Sequence, residues 1–196
     1  MSLPGTATKG PVRTNTLRAA SSTRAKYYKY APAASQPMDG FWVPKRFFVT
    51  SGVAHDARSE LNAFDLALKD AGITDVNLVG VSSIIPGGAE QTGLVDIPKG
   101  AITFCVLAKM TGRSGMRLGC GLAWAWGTTR GGERYGIVAE YHGGDSKGDI
   151  ESIVRAELLG MAEARDMALE EIHIRVESTL CGDGYGCVVT ALVYAP

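Results

Sequence analysis

Apolar residues recur along the chain with two periods. Over residues 61–72, LNAFDLALKDAG, they fall at helical spacing and end at a glycine suited to a C-cap, which predicts a helix. Ile150, Val154, Leu158 and Met161 repeat every three or four positions and predict a second helix over about 149–169. Elsewhere the apolar runs are shorter and rich in branched and aromatic residues, as strands require. Such runs occupy 41–50, 76–85, 101–110, 117–126, 134–142, 171–178 and 186–195. Many of the 25 glycines sit at the ends of these runs, where tight turns belong. Many strands with one early and one late helix predict an α+β layered sandwich rather than alternating βαβ units.

Composition narrows this picture. At 196 residues and 20.7 kDa, the chain suits one domain with a tail. Twenty basic residues balance twenty acidic ones, so a general attraction to nucleic acid or to an anionic membrane is not expected. No uninterrupted apolar run is long enough to span a bilayer. Residues 1–38 carry six basic side chains and no acidic one among many Ser, Thr, Ala and Pro. That mixture predicts a flexible basic arm over 1–40 ahead of a folded domain over 41–196. A transit peptide has similar chemistry, but the apolar core of a secretory signal is missing, and a cytoplasmic location is expected. Cys105, Cys120, Cys181 and Cys187 form no CxxC pair and have no histidine at ligand spacing. They read as reduced core thiols, and no metal site is expected.

Three places carry candidate chemistry. Over 76–90, VNLVGVSSIIPGGAE, an apolar strand runs into Ser82-Ser83 and then into a Pro-Gly-Gly turn. Ordinary hydroxyls satisfied by nearby backbone are one reading. Self-cleavage is the other: the Ser83 hydroxyl attacks the Ser82 carbonyl, and the resulting ester eliminates to leave a ketone at position 83. Asp65 shares a helical face with Leu61 and Leu68, where a carboxylate needs a partner such as a guanidinium. With Asn62 as N-cap, however, Asp65 sits at N3 and merely caps the helix. Glu140, among Ile137, Val138, Ala139 and Tyr141, is either a desolvated proton donor or a solvent-facing strand residue.

LNAFDLAL over 61–68, NLVGVSSIIP over 77–86 and IVAEY over 137–141 resemble, in order and spacing, the signature blocks of pyruvoyl-dependent arginine decarboxylases. The resemblance runs from about residue 47 to the C-terminus and includes the closing GCVVTALVYA. It implies an αββα sandwich, cleaved between Ser82 and Ser83 into a β chain, 1–82, and an α chain, 83–196. The second serine becomes a covalent pyruvoyl cofactor. By the same resemblance Glu140 is the proton donor, Asp65 holds the arginine side chain, Asn77 is a hydrogen-bonding residue near the pyruvoyl group, and Leu61 borders the substrate. The implied reaction is decarboxylation of arginine to agmatine, by a homotrimer or dimer of trimers with sites between subunits. Polyamine synthesis and acid resistance both use this reaction.

Two departures stand out. The block continues Ile85-Pro86-Gly87 where the family often has Met-Pro-Pro, which predicts a more flexible loop, and the basic arm has no counterpart. The competing functions are the same chemistry on lysine or ornithine, and an unprocessed, non-catalytic assembly protein of this fold. Asp65 argues against an anionic substrate such as aspartate, because two carboxylates repel.

Overall fold

In the computed structural model, which describes residues 40–196, the first helix begins one residue earlier than its apolar pattern suggests. Ser59 is the N-cap of α1 (Glu60–Asp70), its hydroxyl accepting from the Asn62 N–H at 3.1 Å. The helix ends in a Schellman motif. Gly72, at φ 75°, donates to the Lys69 carbonyl, and the Ile73 N–H reaches back to the Leu68 carbonyl. The expected arm lies, but for its last residue, outside the described residues, and Trp42–Pro196 forms one compact unit.

The strands of the described residues follow the order β1 (Arg46–Asp56), α1, β2 (Asn77–Gly80), β3 (Ile84–Ile85), β4 (Glu90–Gln91), β5 (Ile102–Arg113), β6 (Arg117–Thr129) and β7 (Arg134–Gly143). Next come α2 (Lys147–Glu163), β8 (Met167–Leu169), β9 (His173–Leu180) and β10 (Tyr185–Ala195). The first strand starts later than expected because Pro44 cannot donate to a ladder. The second helix stops short of 169: Asp166 turns left-handed at φ 48°, and residues 167–169 pair with β6 instead.

One five-stranded sheet has the order β2-β5-β10-β1-β4, and the other has β3-β7-β6, with β8 and β9 both paired to β6. Three apolar clusters show how they stack. Phe47, Ile85, Leu118, Leu122, Val138 and Leu192 fill the space between the sheets. Ala63, Ala67 and Leu68 of α1 cover the outer face of the first sheet, and Ile150, Val154 and Leu158 of α2 cover that of the second. The layers are therefore helix, sheet, sheet, helix, the expected α+β sandwich. Each large side chain fully buried in the middle layer contributes about 1.5–3 kcal/mol. All four cysteines are buried and unpaired to one another.

Candidate active site

The single strand expected over 76–85 is two strands in different sheets. β2 forms an edge of the first sheet and β3 an edge of the second, and Val81, Ser82 and Ser83 carry the chain across. Stacked sheets lie about 10 Å apart and an extended residue spans about 3.3 Å, so three residues cross with little slack. The serine pair is therefore not embedded in a strand: Ser82 is exposed and Ser83 half-buried.

The crossing is held on both sides of the Ser82-Ser83 bond. The Val81 N–H donates to the Cys105 carbonyl of β5 at 3.0 Å. The Ser83 carbonyl accepts from the Val138 N–H of β7 at 3.0 Å, and the Ile84 carbonyl accepts from the Tyr194 hydroxyl of β10 at 2.7 Å. Between them, the Ser82 carbonyl accepts from the Ile84 N–H at 3.0 Å, a three-residue turn centred on Ser83. A donor aimed at a carbonyl oxygen favours attack on the carbonyl carbon. Ser82 also lines a cavity of about 450 Å³, walled by Trp42, Val81, Phe104 and Tyr194.

Glu140 belongs to this end of the molecule. The β3–β7 register pairs Ile84 with Ile137, and the Val138 bond continues it to Ser83. Glu140 lies two positions further on the same face of β7, a diagonal neighbour at roughly 7–8 Å between Cα atoms. That face looks toward the other sheet, as Val138 shows by packing in the middle layer. Although Glu140 retains solvent exposure, desolvation raises its pKa above the usual carboxylate range. His142 opposes the rise and Glu157 adds to it. Burial, with the Glu140 charge adding, pushes the Cys105 thiol up to about 11.

Asn77 lies at the other end of β2, and Asp65 and Leu61 lie on α1. Asp65 sits in mid-helix, since the cap is Ser59, so the N3-capping reading fails. It does not share an apolar stripe either: Leu61 is 74% exposed and Asp65 is exposed, while Leu68 is buried. Its Oδ1 accepts from the Thr74 hydroxyl at 3.0 Å, and the Asn77 amide donates to the Gly100 carbonyl at 2.8 Å. Six residues of extended chain separate Asn77 from Ser83, up to about 20 Å. One copy thus sets Glu140 on the strand that holds Ser83, with Asp65 and Leu61 on α1 and Asn77 at the start of β2. Among the described residues no hydrogen bond joins the first pair to the other three.

The loop after the serines is a tight turn rather than a loose one. The Ala89 N–H closes on the Pro86 carbonyl at 2.9 Å, and a Cβ on Gly87 would lie 2.1 Å from the Arg134 carbonyl oxygen. Beyond it a polar cavity of about 570 Å³ includes Arg134, which is already paired with Glu170 at 2.7 and 2.9 Å. It sits away from Ser82 and Ser83. Trp124 packs in the middle layer, stacks on His173 at 5.5 Å and donates to Gln91, so it is a packing residue.

Comparison with known proteins meets this geometry. The sequence profile of pyruvoyl-dependent arginine decarboxylases matches residues 46–196, all but the N-terminal segment. The chain belongs to that family. The pyruvoyl-dependent arginine decarboxylase of Methanopyrus kandleri is 37% identical over 153 residues, covering 78% of this chain and 97% of the relative. That of Methanococcus vannielii is 31% identical over 152 residues, covering 77% and 90%. A probable pyruvoyl-dependent arginine decarboxylase of Chloroherpeton thalassium is 35% identical over 142 residues, covering 66% and 77%. The family is one of carboxy-lyases whose prosthetic group is a covalent pyruvoyl. The crossing fits such a group, because it presents a serine at a reachable, firmly held peptide.

Sequence reasoning missed Thr74 and Tyr194. Thr74 carries no pattern of its own. Tyr194 had a signal: a hydroxyl ending the apolar run GCVVTALVYA needs a partner once buried.

Proposed function

We propose that this chain cleaves itself between Ser82 and Ser83, converts Ser83 to a pyruvoyl group, and decarboxylates L-arginine to agmatine and carbon dioxide. The observation that carries the reading is the crossing itself. Its scissile carbonyl receives the Ile84 N–H at 3.0 Å, and the half-buried Ser83 hydroxyl is one residue away. The products are a β chain, 1–82, and an α chain, 83–196.

The pyruvoyl group supplies an electron-accepting ketone, the role that pyridoxal phosphate fills in other decarboxylases. This chain's own residues do the rest. Glu140, whose pKa desolvation raises, is the group to deliver a proton to the substrate carbon from which carbon dioxide leaves. Asp65 pairs with the guanidinium in bidentate fashion, next to the exposed Leu61. Asn77 fixes the Gly100 loop beside it.

Within one copy, among the described residues, Asp65 makes no bond to the Ser82–Ser83 crossing and stands exposed on α1. A second copy, its Asp65 end against the crossing of the first, completes the site. A homotrimer or a dimer of trimers provides such interfaces in closed symmetry. The exposed Val79, Val81, Ile84 and Ile102 along the β2–β3 edge give that contact an apolar lining. Among the described residues no helix is long and apolar enough to cross a membrane, and a cytoplasmic location completes the reading.

The test is an intact mass followed by an assay over a panel of amino acids. Two fragments meeting at residues 82 and 83, with a blocked α-chain N-terminus and carbon dioxide released from arginine, are expected. Release from lysine or ornithine alone moves the substrate assignment. A single uncleaved chain with no amine product sinks the enzyme reading in favour of a scaffold.

A further inference from the structure

We infer that Tyr194 is a positioning residue for self-cleavage, its hydroxyl fixing the peptide that polarises the Ser82 carbonyl. The inference rests on the self-processing proposed above. Tyr194 stands opposite Phe47 in the first sheet and points into the middle layer, 5% exposed. Its hydroxyl crosses to the second sheet and donates to the Ile84 carbonyl at 2.7 Å. Ile84 in turn donates its N–H to the Ser82 carbonyl at 3.0 Å. One residue therefore links the Tyr194 hydroxyl to the bond that breaks.

The anchor has a purpose because β3 is only two residues long and forms the sheet edge. So short a strand cannot by itself hold its first residue in one orientation. Volume alone does not call for tyrosine here, since phenylalanine fills nearly the same space. Burial pushes the Tyr194 hydroxyl up to about 12, so it keeps its proton, and remains a donor, through neutral pH.

The cleavage step balances without an outside oxidant. The Ser83 Oγ bonds to the Ser82 carbonyl carbon, the C–N bond breaks, and the hydroxyl proton passes to the Ser83 nitrogen, giving an ester. Loss of the Ser83 Cα proton expels the Ser82 carboxylate and leaves dehydroalanine. Water then replaces the nitrogen, which leaves as ammonia. The Ile84 N–H acts on the first step, where the carbonyl oxygen gains negative charge.

The experiment follows newly synthesised full-length chains by gel and mass. Tyr194→Phe is expected to slow cleavage at 82–83 at least tenfold. Hydroxylamine, which captures the ester as a Ser82 hydroxamate, should trap the variant more slowly by the same factor. The melting temperatures of Ser83→Ala and of Ser83→Ala with Tyr194→Phe, both uncleaved, should agree within about 5 °C. Cleavage within twofold of wild type overturns the inference. So does unchanged trapping with slower cleavage, or a melting temperature lowered beyond that margin, which marks a general structural anchor. If the wild-type chain itself never cleaves, it is the self-processing reading that fails.

Discussion

At one end of β2 the chain passes between sheets under main-chain bonds from β5 and β7 and a side-chain bond from β10. At the other end the Asn77 amide binds the Gly100 carbonyl of a neighbouring loop, and on α1 Leu61 and Asp65 stand exposed. The contrast separates two tasks. On the proposed reading, making the cofactor is intramolecular chemistry, and a single copy supplies the attacking hydroxyl, the carbonyl and the donor that polarises it. Selecting a substrate needs a wall around a ligand, and one copy offers only part of it. Cleavage should therefore tolerate changes at the recognition end, and decarboxylation should not.

The largest expected effect comes from dividing the two tasks between chains. Ser83→Ala should remain one chain and be inactive. Asp65→Asn should cleave normally yet lose roughly 100-fold in decarboxylation, the scale of a lost charge-assisted hydrogen-bond pair. Co-expressed, the two inactive chains should recover about a quarter of wild-type activity, because random mixing in a symmetric ring pairs an intact crossing with an intact Asp65 that often. Agmatine release from mixed and unmixed preparations measures this, and no recovery breaks the idea that the site is shared.

Glu140→Gln sharpens the comparison from the crossing's side. It should leave cleavage in place and lower turnover by about 10²–10⁴-fold, the usual contribution of a positioned proton donor. A donor works only while protonated, so wild-type turnover should fall as pH rises through the raised Glu140 pKa. The positive charge of His142 lowers that pKa, so His142→Asn should move the falling limb to higher pH. A pH–rate profile that stays put would detach His142 from the acid.

The smallest effect belongs to Thr74→Val, which removes the hydroxyl that orients Asp65 at 3.0 Å. A loss of about 1 kcal/mol predicts an arginine KM raised roughly fivefold with cleavage kinetics unchanged. A change in cleavage instead of KM would show that the two ends are coupled within one copy.

Much of the fold was legible because burial imposes periods on sequence. Helix α2 shows Ile150, Val154 and Leu158 on one face, and all three are buried against the second sheet. Helix α1 was legible in existence but not in orientation. Its buried face runs through Ala63, Ala67 and Leu68, and small alanines give a weak signal beside the exposed Leu61. The Pro-Gly-Gly turn misled in the opposite sense. Glycine suggests mobility by composition, whereas Gly87 is there to let its backbone meet Arg134.

The candidate site divides in the same way. The sequence by itself determined which groups are available: a serine pair after an apolar strand, an aspartate in a helix and a glutamate in a strand. Local chemistry follows from residue type and near neighbours, and these are written along the chain. Only the tertiary structure decided that 76–85 splits between two sheets and that the serines bridge them. It also decided that Glu140 lies on the strand that holds Ser83, while Asp65 stands exposed on α1. Those facts depend on which strands pair at which register, and register is set by packing among residues far apart in sequence.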